Sequence, residues 1–184
     1  MSNLLLIGPS QSGKTTMLYS YKGEKAPEGA TMKAETKKAG GFLGIGRDEL
    51  TEIGGNSLNN ELVIGQATYY SPGKVLFVFD GSKFIEQLAH PELGGEIWGR
   101  WLLYNTKKPL KKVHMVATHD DCVDNMRGKI LDLIKAANIQ YSKLLGGLGT
   151  ERYTASCFEE PYFHCINAKD SYQVKELLNK IRKS

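Results

Sequence analysis

The segment Gly8-Pro9-Ser10-Gln11-Ser12-Gly13-Lys14-Thr15 fits G-x-x-x-x-G-K-[ST] at every fixed position, and it follows directly on the apolar run Leu4-Leu5-Leu6-Ile7. No other feature restricts the fold of this chain as much. Four consecutive aliphatic residues without alternation read as a strand buried on both faces, and Lys14 opens a helix, so the chain begins as strand, glycine turn, helix. Such a turn leaves successive backbone N–H groups and the helix N-terminus free to surround an anion, whose approach a Cβ at the glycine positions would obstruct. In this context the pattern reads as a loop for the β- and γ-phosphates of a nucleotide, built from Gly8, Ser10, Gln11, Ser12, Gly13, Lys14, Thr15 and Thr16. Lys14 supplies positive charge, and the Thr15 hydroxyl suits Mg²⁺, whose other ligands would be phosphate oxygens and water.

The strand signal returns three times. Val75-Leu76-Phe77-Val78-Phe79 ends at Asp80-Gly81, residues 113–117 end at Thr118-His119-Asp120-Asp121, and residues 162–166 form the last run. Apolar residues recur at helical spacing at Ile97, Trp98, Trp101 and Leu102, and again at Ile130, Leu133, Ile134 and Ala137. A third stripe, Val174, Leu177, Leu178 and Ile181, follows Asp170 and Ser171, either of which suits an N-cap. Residues 31–38 and 49–53 are polar and alternating, and they flank the tip Gly40-Gly41-Phe42-Leu43-Gly44-Ile45-Gly46, a pattern that predicts an edge hairpin. Buried strands alternating with amphipathic helices require right-handed crossovers. The predicted fold class is therefore α/β in three layers, a P-loop nucleotide-binding fold whose mainly parallel sheet has one antiparallel edge strand and helices on both faces. With 184 residues and no long linker, the chain is expected to form one domain over 1–184.

Four further segments suit ligand chemistry: Thr31 in the polar stretch, Glu52-Ile53-Gly54-Gly55-Asn56, Thr118-His119-Asp120-Asp121 and Asn167-Ala168-Lys169. In this order, with Tyr69-Tyr70 and Ser71-Pro72-Gly73-Lys74 ahead of the run at 75–79, they resemble the small GTPases of the Ras superfamily over residues 4–183, most closely the ADP-ribosylation-factor-like branch. The resemblance implies GTP or GDP as ligand, with Mg²⁺. Thr31, with Thr36 as its competitor, stands where the family's first switch closes on Mg²⁺ and the γ-phosphate. Glu52 replaces the aspartate of D-x-x-G and keeps a carboxylate for a magnesium-bound water, so the implied metal set is Thr15, Thr31 and Glu52. Gly55 keeps the N–H for the γ-phosphate, and Asn56 replaces the glutamine that orients the attacking water, on a stem shorter by one methylene. With Lys14 these two form the implied catalytic set.

Of the base-reading N-K-x-D only Asp121 is kept, and its carboxylate would accept hydrogen bonds from guanine N1–H and the 2-amino group. Thr118 replaces the asparagine, and the His119 ring would stack in place of the lysine stem. Read without the resemblance, Asp120 and Asp121 also suit capping of the helix that follows. Asn167, Ala168 and Lys169 stand for the family's S-A-K, in which the alanine N–H faces guanine O6.

The implied function is a GTP-binding switch with slow hydrolysis, read by an effector or regulator protein through residues 29–38 and 54–66. Glu52 and Asn56 leave open an interaction module that binds nucleotide without turnover. A small nucleotide kinase is a third reading, which the scatter of Arg47, Arg100, Arg127, Arg152 and Arg182 disfavours. A content of 41% hydrophobic and 24% charged residues excludes a disordered chain. Ser2 and the ending Arg182-Lys183-Ser184 carry no lipidation signal, so no lipid anchor and a cytoplasmic location are expected. Cys122, Cys157 and Cys165 lack metal spacing, and His90, His114 and His164 have no partners at ligand spacing and are expected to be ordinary strand or turn residues. The run Lys107-Lys108-Pro109-Leu110-Lys111-Lys112 suits either a phosphate-bearing surface or a solvated connector, and no nucleic-acid module accompanies it. Phe42, Leu43 and Ile45 at the hairpin tip either contact a partner or fold back onto the domain.

Overall fold

A computed structural model describes residues 4–27, 35–39, 48–52, 74–90, 95–107, 113–147, 149 and 151–184. Among these, six strands form one sheet: β1 (Leu4–Ile7), β2 (Glu35–Ala39), β3 (Asp48–Glu52), β4 (Lys74–Asp80), β5 (Val113–Thr118) and β6 (Phe163–Cys165), in the order β2-β3-β1-β4-β5-β6. From β3 to β6 every neighbouring pair is parallel, whereas β2 runs antiparallel to β3 with Ala39 opposite Asp48. Five α-helices lie within the described residues: α1 (Lys14–Lys22), α2 (Gly81–Ala89), α3 (Glu96–Lys107), α4 (Met126–Leu144) and α5 (Ser171–Lys183). Thr31, Gly55, Asn56, the tip at Phe42 to Ile45 and the segment around Tyr69 fall outside the described residues.

Successive strand residues face opposite sides of a sheet, so each apolar run feeds two cores. Leu5 and Ile7 join Val75, Phe77, Phe79, Met115, Ala117 and Phe163 in the core that carries α2, α3 and α4 residues. Leu4 and Leu6 join Leu76, Val78 and Val116 against α1 and α5. This two-sided burial is why the runs at 4–7 and 75–79 lack alternation. The first core is aromatic at its centre, where the Phe84 ring lies 5.1 Å from Phe79, 5.8 Å from Phe158 and 6.3 Å from Tyr153. Across the second, Arg182 of α5 donates to Tyr21 Oη at 3.0 Å and its guanidinium lies 5.3 Å from the ring centre.

Helix α2 is missing from the sequence reading, in which Asp80-Gly81 only ends a strand. Asp80 is in fact an N-cap: its Oδ1 accepts from the backbone N–H of Ser82 at 3.0 Å and of Lys83 at 3.2 Å. A Cβ at Gly81 would meet the Met126 sulfur, the far end of a side chain that would have to turn aside, and would stand 3.1 Å from the Thr118 carbonyl oxygen.

His114 and His164, read from the sequence as ordinary strand or turn residues, are partners. Parallel pairing of β5 and β6 sets Val116 opposite His164 and brings His114 Nδ1 to 3.1 Å from His164 Nε2, with the rings stacked at 5.3 Å. Both are buried, and the Tyr162 ring lies 5.4 Å from that of His114. Burial, reinforced by Lys74 and Lys180, lowers the His114 pKa to about 4 against a weaker opposing effect of the Pro161 backbone. Burial, then His114, Lys180 and Arg127, lowers His164 to about 4, with Glu160 opposing. The unfolded chain binds these protons near pH 6.5 and the folded one does not, so the pair favours folding above pH 6.5 and the advantage disappears as pH falls toward 4. Urea unfolding is expected to show a loss on the order of 3 kcal/mol between pH 7 and pH 4. The variant His114→Gln/His164→Gln, which keeps a hydrogen bond without titrating, should flatten that slope; an unchanged slope would assign the acid sensitivity elsewhere.

Candidate nucleotide site

The turn after β1 is shaped by two glycines. Gly8 has φ +145° and its backbone lies so close to β4 that a Cβ would overlap the Val78 carbonyl oxygen. Gly13 has φ +87°, and a Cβ there would stand 3.2 Å from Thr118 Cγ2. Gln11 adopts φ +60° between them. Lys14 is buried, and its Nζ folds back over the loop to donate to Gly8 O at 3.1 Å, Pro9 O at 2.5 Å and Ser12 Oγ at 3.2 Å. The ammonium therefore sits inside the turn, ready to meet an anion held by the loop N–H groups. Ser10 and Gln11 are exposed at the tip, and Thr15 and Thr16 are half-buried in the first turn of α1. The Thr15 hydroxyl is a hard oxygen donor, which fits Mg²⁺.

Thr118, at the end of β5, was expected among the residues that touch the ligand. It is fully buried, with its hydroxyl 2.8 Å from Ser12 O and 3.1 Å from Phe79 O, so its place is behind the loop, tying it to β4 and β5. The same hydroxyl lies 3.0 Å from His119 Nδ1, which places the imidazole against the strand end. His119 adopts the left-handed conformation, φ +63° and ψ +32°, with its ring half-exposed and Nδ1 3.6 Å from Asp80 Oδ1. Lys83 Nζ reaches Gln11 Oε1 at 3.4 Å, linking α2 to the loop. Asp80 and Lys83 are thus neighbours of the site that the sequence reading passed over; the carboxylate at the end of a buried run, just before Phe84, Ile85 and Leu88, was the available signal.

Asp120 and Asp121 lie in the short turn Asp120–Cys122, with Asp121 exposed. Burial, and secondarily Asp121, raises the Asp120 pKa above the ordinary carboxylate value. Neither caps α4: that part belongs to Asn125, φ +50°, whose Oδ1 accepts from the Gly128 N–H at 3.3 Å. The capping reading of these aspartates is thereby replaced.

After β6, Ile166 N donates to Ala117 O at 2.9 Å and Asp120 N to Ile166 O at 3.3 Å, which joins the two loops. Asn167 Oδ1 accepts from Lys169 N at 2.9 Å, Gln173 Oε1 accepts from Asn167 N at 3.0 Å, and Ala168 is buried. Asp170, not Ser171, caps α5, accepting from Tyr172 N at 2.9 Å. The phosphate loop, the 118–121 turn and the 167–169 turn therefore share one edge of the sheet, the carboxyl ends of β1, β5 and β6, where ligands of such folds bind. Glu52 ends β3, with its backbone paired beside Leu6.

No protein-family model matches the sequence, and no curated protein does. Among solved structures, the chain is similar over its whole length to a bacterial selenocysteine-specific elongation factor, EF-Sec, at 18% identity and a TM-score of 0.59, spanning 28% of that chain. It is also similar to a structure of the mammalian SRP receptor, at 12% identity and a TM-score of 0.61, over 97% of this chain and 99% of that one. At such identities the likeness concerns the fold alone, and the fold is the P-loop nucleotide-binding α/β fold.

Proposed function

We propose that this chain is a guanine-nucleotide switch. The observation that carries the reading is the buried Lys14 ammonium folded into the loop of 8–15, with Thr118 bonding that loop to the strand end that presents His119 and Asp121. Triphosphate would lie across the loop N–H groups and Lys14, with Mg²⁺ held by Thr15 and, by resemblance, Thr31 and Glu52; the metal would supply countercharge for the phosphates. Asp121 would select guanine through N1–H and the 2-amino group, the His119 ring would stack on the base, and the Ala168 N–H would face O6. Gly55 would contact the γ-phosphate and Asn56 would orient the attacking water from a shorter stem than glutamine provides, which favours slow hydrolysis. Residues 29–38 and 54–66 would then signal the nucleotide state to an effector or regulator. Glu52 and Asn56 support the second reading, binding without turnover, which single-turnover measurement with GTP separates from the first.

Chromatography of nucleotide released by denaturing the purified protein tests the reading directly: GDP or GTP is expected, and adenine nucleotide would overturn it. Asp121→Asn should weaken GTP binding at least about tenfold and improve binding of xanthosine triphosphate, whose C2 carbonyl accepts the amide hydrogens. Calorimetry with GTP, ATP and the xanthine nucleotide checks this; an equal loss for all three would reduce Asp121 to a support of the turn.

A further inference from the structure

We propose that Asp80 is a positioning residue of the nucleotide site, whose carboxylate holds the His119 ring with its hydrogen on Nδ1. The inference rests on the reading of His119 as the group that meets the base. Asp80 ends β4 with its side chain 10% exposed. Its Oδ1 accepts from Ser82 Oγ at 2.6 Å as well as from the two N–H groups that open α2. Capping explains an acceptor at this position but not a charge, because serine and asparagine cap a helix as well as aspartate does. Among the described residues no lysine or arginine pairs with the carboxylate, and Lys83 in the next turn reaches Gln11 of the phosphate loop instead. The charge therefore falls on the imidazole, whose Nδ1 lies 3.6 Å from Oδ1.

At that distance the carboxylate acts through its field, and the hydrogen bond belongs to Thr118, whose Oγ1 is 3.0 Å from Nδ1. The same hydroxyl lies 2.8 Å from Ser12 O and 3.1 Å from Phe79 O, and both carbonyls only accept. The hydroxyl hydrogen has its place there, which leaves the oxygen lone pairs for the imidazole. A carboxylate beside Nδ1 favours the ring form whose N–H dipole points at it, so both neighbours select the same tautomer, with Nε2 as the acceptor. The backbone is fixed as well, at φ +63°, with the His119 carbonyl accepting from Cys122 N at 2.9 Å. A half-exposed ring held by one edge loses little further freedom when a base stacks on it.

NMR of the ligand-free protein tests the first half of this without any nucleotide. At about pH 8, above the ordinary imidazole range, the ring nitrogen shifts are expected to give Nδ1–H for His119, the signal being assigned by its loss in His119→Gln. Asp80→Asn and Asp80→Ser, which both keep a cap, should move the ring toward the Nε2–H form and raise the Kd for GTP about threefold to tenfold. Binding of tripolyphosphate, which has no base, should stay within about twofold. In a His119→Ala background Asp80→Asn should have no further effect on GTP, whereas a residue that only capped α2 or supported the loop would still show its loss. Nε2–H in the unmodified protein, a tautomer unchanged in both variants at position 80, equal losses for GTP and tripolyphosphate, or an Asp80 effect that survives His119→Ala overturns the proposal. Failure of the guanine reading shows differently: the retained nucleotide is then not a guanine nucleotide, and the tautomer still decides whether Asp80 positions His119.

Discussion

Lys14→Ala is expected to raise the Kd for GTP by about one and a half to three and a half orders of magnitude. Lys14 is 3% exposed and its ammonium is held by loop oxygens, so that its attraction to phosphate is only weakly screened. Truncating one partner of such a desolvated pair removes about 2–5 kcal/mol, and each 1.4 kcal/mol is about tenfold in Kd. Calorimetric titration of the variant with GTP is the measurement, and thermal unfolding of the ligand-free variant separates lost recognition from lost structure. An unchanged Kd would take the phosphate role away from Lys14 and from the loop that it closes.

Gly8→Ala should produce the largest loss of stability among single substitutions at the site, at least about 3 kcal/mol, because the added carbon meets backbone rather than a side chain that can swing away. The loop and β4 would have to part at Val78, at the point where Phe77 and Phe79 hold the first core and Val78 the second. For a chain of this length the melting temperature would fall by roughly 6–12 °C. Gly23→Ala is the matched control. Gly23 has φ +76° but nothing within 4 Å of an added Cβ, so the left-handed backbone alone should cost about 1–2 kcal/mol. Equal losses in the two variants would show that the contact with Val78 is not what requires glycine at position 8.

Elements whose signal is local were legible in the sequence. Leu4 to Ile7 is apolar throughout because β1 is covered on both faces, and Asp170 marks the start of α5 because a carboxylate before an amphipathic stripe satisfies the first N–H groups. What escaped is what depends on register or on unusual backbone. His114 and His164 stand 50 positions apart and meet only because β5 and β6 are parallel neighbours. Asn125 caps α4 from a left-handed conformation that asparagine tolerates but does not announce. Thr118 ends β5 with its hydroxyl on the Ser12 and Phe79 carbonyls, the first of them 106 positions away, a contact that nothing local in the sequence announces. Glu52 is placed by its backbone beside Leu6, while Thr31, Gly55 and Asn56 lie outside the described residues, so their roles still rest on the sequence.

The central position of β1 has a consequence for synthesis. This strand is made first, but its neighbours on the two sides are β3 and β4, and β4 ends at Asp80. A ribosome adding about 5–20 residues per second needs roughly 4–15 s to pass from the end of β1 to the end of β4. Throughout that interval four consecutive aliphatic side chains have no sheet to enter, and both of their faces remain wet. Leu4 to Ile7 is therefore the stretch of the nascent chain most in need of protection, even though in the finished molecule it is among the least accessible to any protein that might provide it.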